Sequence, residues 1–232
     1  MKLDILEKLQ KARAGRVPVA LVTDLDSGAQ ALLEAGEMIG DVALADDALA
    51  AAVKLIERDS SGQIEVEGRR IFVHVHNPPA RLIVVGAVHI AQALVPMAAL
   101  AGYAVTVVDP RRAFATDARF PTVTLSDDWP DEAMEKLSPD ARTAVVTLTH
   151  DPKLDDPALT VALRSPAFYV GCLGSKRTHA KRIDRLKAQG LTDAEIGRIH
   201  GPVGLPIHAI SPAEIAISIL AEITQVRRKD AK

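Results

Sequence analysis

Apolar residues in this chain recur with two periods, and the changes of period mark out its elements. Residues 2–13 place Leu3, Ile5, Leu6 and Leu9 at helical spacing, which predicts an amphipathic helix stopped by Gly15. Val17–Thr23 is a β-rich run, and Asp24–Gly28 is a polar turn. The stretch from Ala29 to Leu44, punctuated by Gly36 and Gly40, predicts short strands around turns rather than one helix. Asp46–Arg58 reads as a helix capped by Asp46 or Asp47, with Leu49, Val53 and Ile56 on its apolar face. Ile64–Val66 and Arg70–Val75 flank Glu67-Gly68, a hairpin signal. Asn77-Pro78-Pro79 follows, and each proline restricts the residue before it, so a domain boundary is expected near residue 78.

Beyond the prolines the pattern changes to continuous apolar runs alternating with helical stretches. Leu82–Val85 runs into Gly86, an apolar helix is expected from His89 to about Ala101, and Ala104–Val108 ends on Asp109. This is a βαβ unit with strands buried on both faces. The rhythm continues. Arg111–Phe120 is an arginine-rich loop, Val123–Leu125 a short strand, Asp131–Leu137 a helix capped by Asp128, and Thr143–Leu148 a strand. Leu154–Leu163 is expected to be helical with Pro157 in its first turn, Ala167–Val170 to be a strand, and Thr178–Gln189 to be a basic helix. A helix is expected over Asp193–His200 and a loop over Gly201–Pro206. The last helix, Pro212–Arg227, opens with Ser211, Pro212 and Glu214 in capping-box order, and carries Ile215, Ile219, Ile223 and Val226 on its core face. The expected fold is therefore α/β: a smaller N-terminal α+β domain, residues 1–78, and a Rossmann-like doubly wound, mostly parallel sheet over residues 79–232.

Composition narrows the function more than the fold. A net charge of −2, with only the short Arg227–Lys229 end basic, shows no nucleic-acid footprint. Aromatic residues are 3% of the chain, too few for base stacking as a main activity. The single cysteine, Cys172, excludes an internal disulfide and a multi-cysteine metal site, and no metal ligands are assigned. No secretory signal or apolar run of membrane-spanning length is present, so a cytoplasmic protein without a membrane partner is expected.

In an open α/β sheet, ligands bind beyond the carboxyl ends of the strands. Those ends gather Gly86–His89, Asp109–Arg112, Thr149–Asp151 and Gly171–Arg177. Gly171 and Gly174 are placed to turn backbone N–H groups toward a phosphate at a helix start, with Ser175, Lys176 and Arg177 beside it. The bland alternative is a surface turn before a basic helix. His89 and His150-Asp151 are candidate ligand or proton-transfer groups, or else hydrogen-bonded structural residues. Asp109 lies 23 residues beyond Gly86, a spacing that suits a carboxylate on a ribose hydroxyl; Asp109 and Arg111 equally suit a surface ion pair. Cys172 fits a packed residue at a strand end better than an activated thiolate. The dinucleotide pattern itself is incomplete. Gly86 and Ala91 fill the first and third glycine positions, but Val88 puts a branched side chain where a pyrophosphate approaches backbone, which disfavours NAD(P).

Several blocks together resemble the XdhC/CoxI family, accessory factors of xanthine dehydrogenase and related molybdenum hydroxylases. They are Gly86-Ala87-Val88-His89, Val108-Asp109-Pro110-Arg111, Leu148-Thr149-His150-Asp151, Tyr169 to Arg177, Gly201 to Leu205, and Pro212 to Ile223, in order over most of residues 81–226. The resemblance implies a chaperone, rather than an enzyme, that binds molybdenum cofactor (molybdopterin) as cargo. Such a protein assists sulfuration of the cofactor and its insertion into an apo-hydroxylase. The implied partners are that hydroxylase, a cysteine desulfurase and a second copy of the chain. Carried over by position, the cargo's phosphate falls near Gly86, His89, Asp109, Arg111, His150, Asp151, Gly171, Gly174, Ser175, Lys176 and Arg177. Two departures stand out. The family commonly has Gly-Ala-Gly-His where this chain has Val88. Longer members also carry Ser-Ser-Pro-Arg-like and Gly-Gly-Cys-x-Glu-like segments where Asp24–Gly28 and Gly40–Asp46 stand here, without a cysteine. The alternatives are an NAD(P)-dependent oxidoreductase and a nucleotide-binding regulatory protein of Rossmann fold.

Overall fold

The computed structural model describes residues 2–229; residues 1 and 230–232, the outer ends of the two expected domains, lie outside it. Contacts divide the chain into two compact units, one ending at Pro78 and one starting at Pro79. In the first, helix α1 (Leu3–Ala14) precedes strands β1 (Val19–Asp24), β2 (Gln30–Glu34) and β3 (Glu37–Gly40). Helix α2 (Asp46–Glu57) and strands β4 (Gly62–Val66) and β5 (Arg69–His76) follow. The strands form one antiparallel sheet in the order β3-β2-β1-β5-β4.

Successive residues of β1 point to opposite faces, so both faces are buried. Val19 packs with Leu32 against Ile5 and Leu9 of α1, while Ala20 and Val22 pack with Ile71 and Val73 against Ala48 and Ala52 of α2. The small alanines are the deepest residues of α2; the expected Leu49, Val53 and Ile56 lie around them, partly buried. The expected aspartate cap is also corrected. Ala45 is the N-cap and offers no side chain, and Asp47 accepts from Ala48 N (2.8 Å) inside the first turn, where its charge still complements the helix dipole. Gly40 has φ +144°, and a Cβ there would lie 2.6 Å from Gln30 O, so the end of β3 requires glycine.

The second unit contains β6 (Arg81–Val85), α3 (His89–Leu100), β7 (Ala104–Val108), β8 (Thr124–Ser126), α4 (Pro130–Leu137) and β9 (Thr143–Thr147). It continues with α5 (Pro152–Arg164), β10 (Tyr169–Cys172), α6 (Lys176–Ala188), α7 (Asp193–Ile196), β11 (Ile199–His200) and α8 (Pro212–Arg227). The sheet order is β11-β10-β9-β6-β7-β8, every neighbouring pair is parallel, and all six carboxyl ends share one edge. Leu82 and Val84 face Leu94 of α3 and Ile219 and Ile223 of α8, whereas Ile83 and Val85 face Met134 of α4 and Leu159 of α5. Each of these fully buried aliphatic side chains contributes about 1.5–3 kcal/mol, so the two faces together dominate the stability of this unit.

Four local expectations are corrected. Trp129, not Asp128, is the N-cap of α4, with Pro130 as first helical residue; Asp128 accepts instead from Ser126 Oγ (3.1 Å) and Lys136 Nζ (2.8 Å). α5 begins at Pro152, so Pro157 sits beyond the first turn, where it cannot donate to the Lys153 carbonyl. α6 begins two residues early because Ser175 Oγ accepts from Thr178 N. The helix expected to reach His200 ends at Ile196, and β11 pairs with β10 through Val170–Ile199 and Gly171–His200. The open edge of the sheet outcompetes a one-turn extension of a four-residue helix.

Candidate functional site

The strand order reverses between β6 and β9. The chain leaves β6 toward β7 and β8, then returns on the other side through β9, β10 and β11. Such a switch point opens a crevice beyond the carboxyl ends of the two adjacent strands. Here the two strand ends touch. Gly86 has φ +112°, its N–H donates to Val108 O (2.8 Å), and a Cβ on it would meet Thr149 Cγ2 at 2.5 Å. Val88 is the N-cap of α3 and supplies no capping side chain; His89, the first helical residue, is exposed.

Asp109 is buried, 1% exposed, and is neither a free ribose partner nor half of a surface pair. Its Oδ2 accepts from Ala87 N (2.8 Å) and Arg111 Nη2 (2.8 Å), and its Oδ1 accepts from Arg111 N (3.0 Å) and Nε (2.9 Å). Burial alone would raise this carboxyl; the Arg111 and Ala87 donors outweigh it and hold it below the ordinary carboxylate value. Arg111, its own pKa raised chiefly by the bond to Asp109, lies over the Phe114 ring at 4.7 Å. It also feels the charges of Asp151 and Asp155, so the ends of β7 and β9 share one field.

Across the crevice, His150 holds a left-handed backbone, φ +63°. Asp155, buried in the first turn of α5, explains that conformation. Its Oδ1 accepts from Thr149 Oγ1 (2.6 Å) and Thr149 N (3.3 Å), and its Oδ2 accepts from His150 N (3.1 Å). Burial nevertheless pushes the Asp155 carboxyl above its ordinary value. Asp151 caps α5 by accepting from Lys153 N (3.0 Å).

Beneath this turn lies Arg182, 1% exposed. Its Nη1 donates to Cys172 Sγ (3.0 Å) and its Nη2 to Leu173 O (3.0 Å), with Asp155 Oδ2 at 3.5 Å. Cys172 is fully buried, and burial pushes its thiol up to about 11, so it is a packed thiol and not a thiolate at neutral pH. His179 Nδ1 stands 3.8 Å from that sulfur; burial, then the nearby Arg182, hold the imidazole below its ordinary pKa.

The two glycines expected to cradle an anion differ. Gly171 lies inside β10, paired with Val146 and His200, and a Cβ there would meet Val203 Cγ2 at 2.6 Å; it is needed for packing. Gly174, at φ +147°, turns the chain into Ser175 and α6. Lys176 and Arg177 are exposed on the first turn of α6. The structure thus brings together Gly86, Asp109, Arg111, His150 and Asp151 around the switch point, and Gly174, Ser175, Lys176 and Arg177 at the start of α6. Sequence reasoning gathered Thr149 with the strand ends but missed Asp155 and Arg182. A signal for Arg182 did exist: it stands four residues before the buried Leu186, in phase with the apolar face of α6.

Residues 82–223 match the family model for the XdhC Rossmann domain. Among curated relatives, the chain is 35% identical over 159 residues to the uncharacterized protein YqeB of Escherichia coli, covering 68% of this chain and 29% of that one. It is 33% identical over 150 residues to the molybdenum cofactor insertion chaperone PaoD of E. coli, covering 65% and 41%. With a Bacillus subtilis protein named as a probable xanthine dehydrogenase subunit it shares 32% over 162 residues, 69% and 47% of the two chains. In each case the match spans less than half of the relative. A solved structure described as a xanthine dehydrogenase from Bacillus halodurans superposes with a TM-score of 0.73 at 27% identity, covering 97% of this chain and 68% of that one.

Proposed function

The chain belongs to the XdhC family through its Rossmann domain, and from that premise we propose that it is a cytoplasmic accessory protein of xanthine dehydrogenase-type molybdenum hydroxylases. In this proposal it binds molybdenum cofactor as cargo, shelters it during sulfuration and passes it to the apo-hydroxylase. Its partners are that hydroxylase, a cysteine desulfurase and a second copy of the chain. Binding and hand-over, rather than turnover, are its task.

The family match over residues 82–223 carries the proposal. The likeness to PaoD, a protein named for insertion of this cofactor, supports it. The carboxyl edge of the sheet suits an anionic cargo. The exposed His89, Arg111, Lys176 and Arg177 reach outward, His150 and Asp151 stand beside them, Gly86, Asp109, Gly174 and Ser175 hold the turns that present them, and Gly171 packs the end of β10 beneath. NAD(P) is a poorer fit, because the Asp109 oxygens are engaged by Arg111 and Ala87 and Val88 occupies the start of α3.

Oxidative release of fluorescent pterin from protein purified out of a molybdenum-competent host tests the proposal. Pterin in near-stoichiometric amount is expected. A well-folded protein that carries none, from a host shown to make the cofactor, would overturn it.

A further inference from the structure

A cleft of about 150 Å³ lies between α5 and α6, on the flank of the switch-point loop. Arg177, Lys181 and Arg185 line it, spaced four residues apart along one face of α6, with Arg182 below them and Asp155 and His150 opposite. Two of these four cations are answered. Arg185 makes a bidentate pair with Asp156, with Nη2 at 3.0 Å from Oδ1, and Arg182 has Asp155 at 3.5 Å. Arg177 and Lys181 make no ion pair among the described residues, so two positive charges face the cleft unbalanced. Arg182 adds a second, independent sign. It is buried and its Nε–H has no acceptor, a rare and costly state for a guanidinium.

We propose that this cleft is a phosphate subsite, formed by Arg177, Lys181 and Arg182, that seats a phosphate or diphosphate ester away from the Gly86 turn. Two unanswered cations call for about two negative charges, which a phosphate monoester carries at neutral pH and a carboxylate does not. The volume admits such a group, and the rest of the ligand extends along the carboxyl edge. The site displaces the anion seat from the first βα turn, where Val88 stands, to the second half of the sheet. Only the identity of the ester rests on the function proposed above; the subsite itself does not.

The test titrates the full chain with inorganic pyrophosphate by calorimetry, with acetate as the comparison anion. Wild type is expected to bind pyrophosphate in preference to acetate. The exposed double variant Arg177→Ala/Lys181→Ala is expected to bind it about tenfold more weakly, and Lys187→Ala, on the same helix but outside the cleft, as well as wild type. Equal binding by wild type and the double variant, or no preference of wild type for pyrophosphate over acetate, would overturn the subsite. Pterin content measured on the same preparations reports separately on the cargo. Pyrophosphate binding by a protein without pterin keeps the subsite and removes the cargo, and pterin on a wild type that ignores pyrophosphate does the reverse.

Discussion

Asp109 and Asp155 are both buried carboxylates at the ends of parallel strands, and their surroundings push them in opposite directions. Asp109 meets a guanidinium through two nitrogens and two backbone N–H groups, which hold it below its ordinary value; Asp155 has hydroxyl and backbone donors but a distant arginine, and burial prevails. A depressed carboxyl contributes stability that is complete above its unfolded pKa and is lost as the pH falls through its folded value. Asp109→Asn is therefore expected to be less stable than wild type at neutral pH, by about 1–3 kcal/mol, with the gap closing as the pH falls through the acid range below the ordinary carboxylate value. Urea unfolding across an acid pH series reads this directly, and parallel curves would contradict it. Gly86→Ala is expected to cost about 1–3 kcal/mol, since the new methyl needs both a left-handed φ and the space held by Thr149. The sequence placed Asp109 at a strand end, because the β-branched run stops there. It did not reveal the carboxylate's partners, since Ala87 comes within reach only through the parallel pairing of β6 with β7. Arg182 was hidden for a different reason: in a helix with so many cations, a buried one looks like its solvated neighbours.

Among elements, the helices with local start signals were the legible ones. α8 begins as its sequence says, with Ser211 Oγ accepting from Glu214 N and the Glu214 carboxylate accepting from Ser211 N. Ser211→Ala is expected to lower stability by about 1 kcal/mol. Denaturant melts would show this as a lower midpoint at unchanged slope, and an unchanged midpoint would mean that packing against α3 alone sets the end of the helix. Where no side-chain cap is made, the cap residue was misread. Asp128 and Asp46 are good capping residues by type, yet the N-caps of their helices are Trp129 and Ala45. β11 was missed because two residues carry no period of their own; only the open edge of β10 makes Ile199-His200 a strand. Its His200 also enters a network that no motif announced. His200 stacks on Tyr169, and Glu222 of α8 accepts from Tyr169 Oη and Gly204 N (2.8 Å), tying the loop after β11 to the last helix.

At the scale of the whole molecule, the two periods sufficed for the α/β class and the parallel sheet, because strands buried on both faces leave continuous apolar runs. They did not suffice for the site's interior. Its geometry depends on which strand ends become neighbours, and the reversal between β6 and β9 alone brings Gly86 against Thr149 and sets Arg111 in the field of Asp155. In the function proposed above, the protein delivers a molybdenum cofactor. The most direct measurement incubates cofactor-loaded protein with a purified apo-hydroxylase of the xanthine dehydrogenase type and follows hydroxylase activity beside an equal amount of free cofactor. We expect the loaded protein to restore more activity than free cofactor does and to lose its own pterin as activity rises. Activity no higher than with free cofactor, with the pterin still on the chain, would contradict delivery.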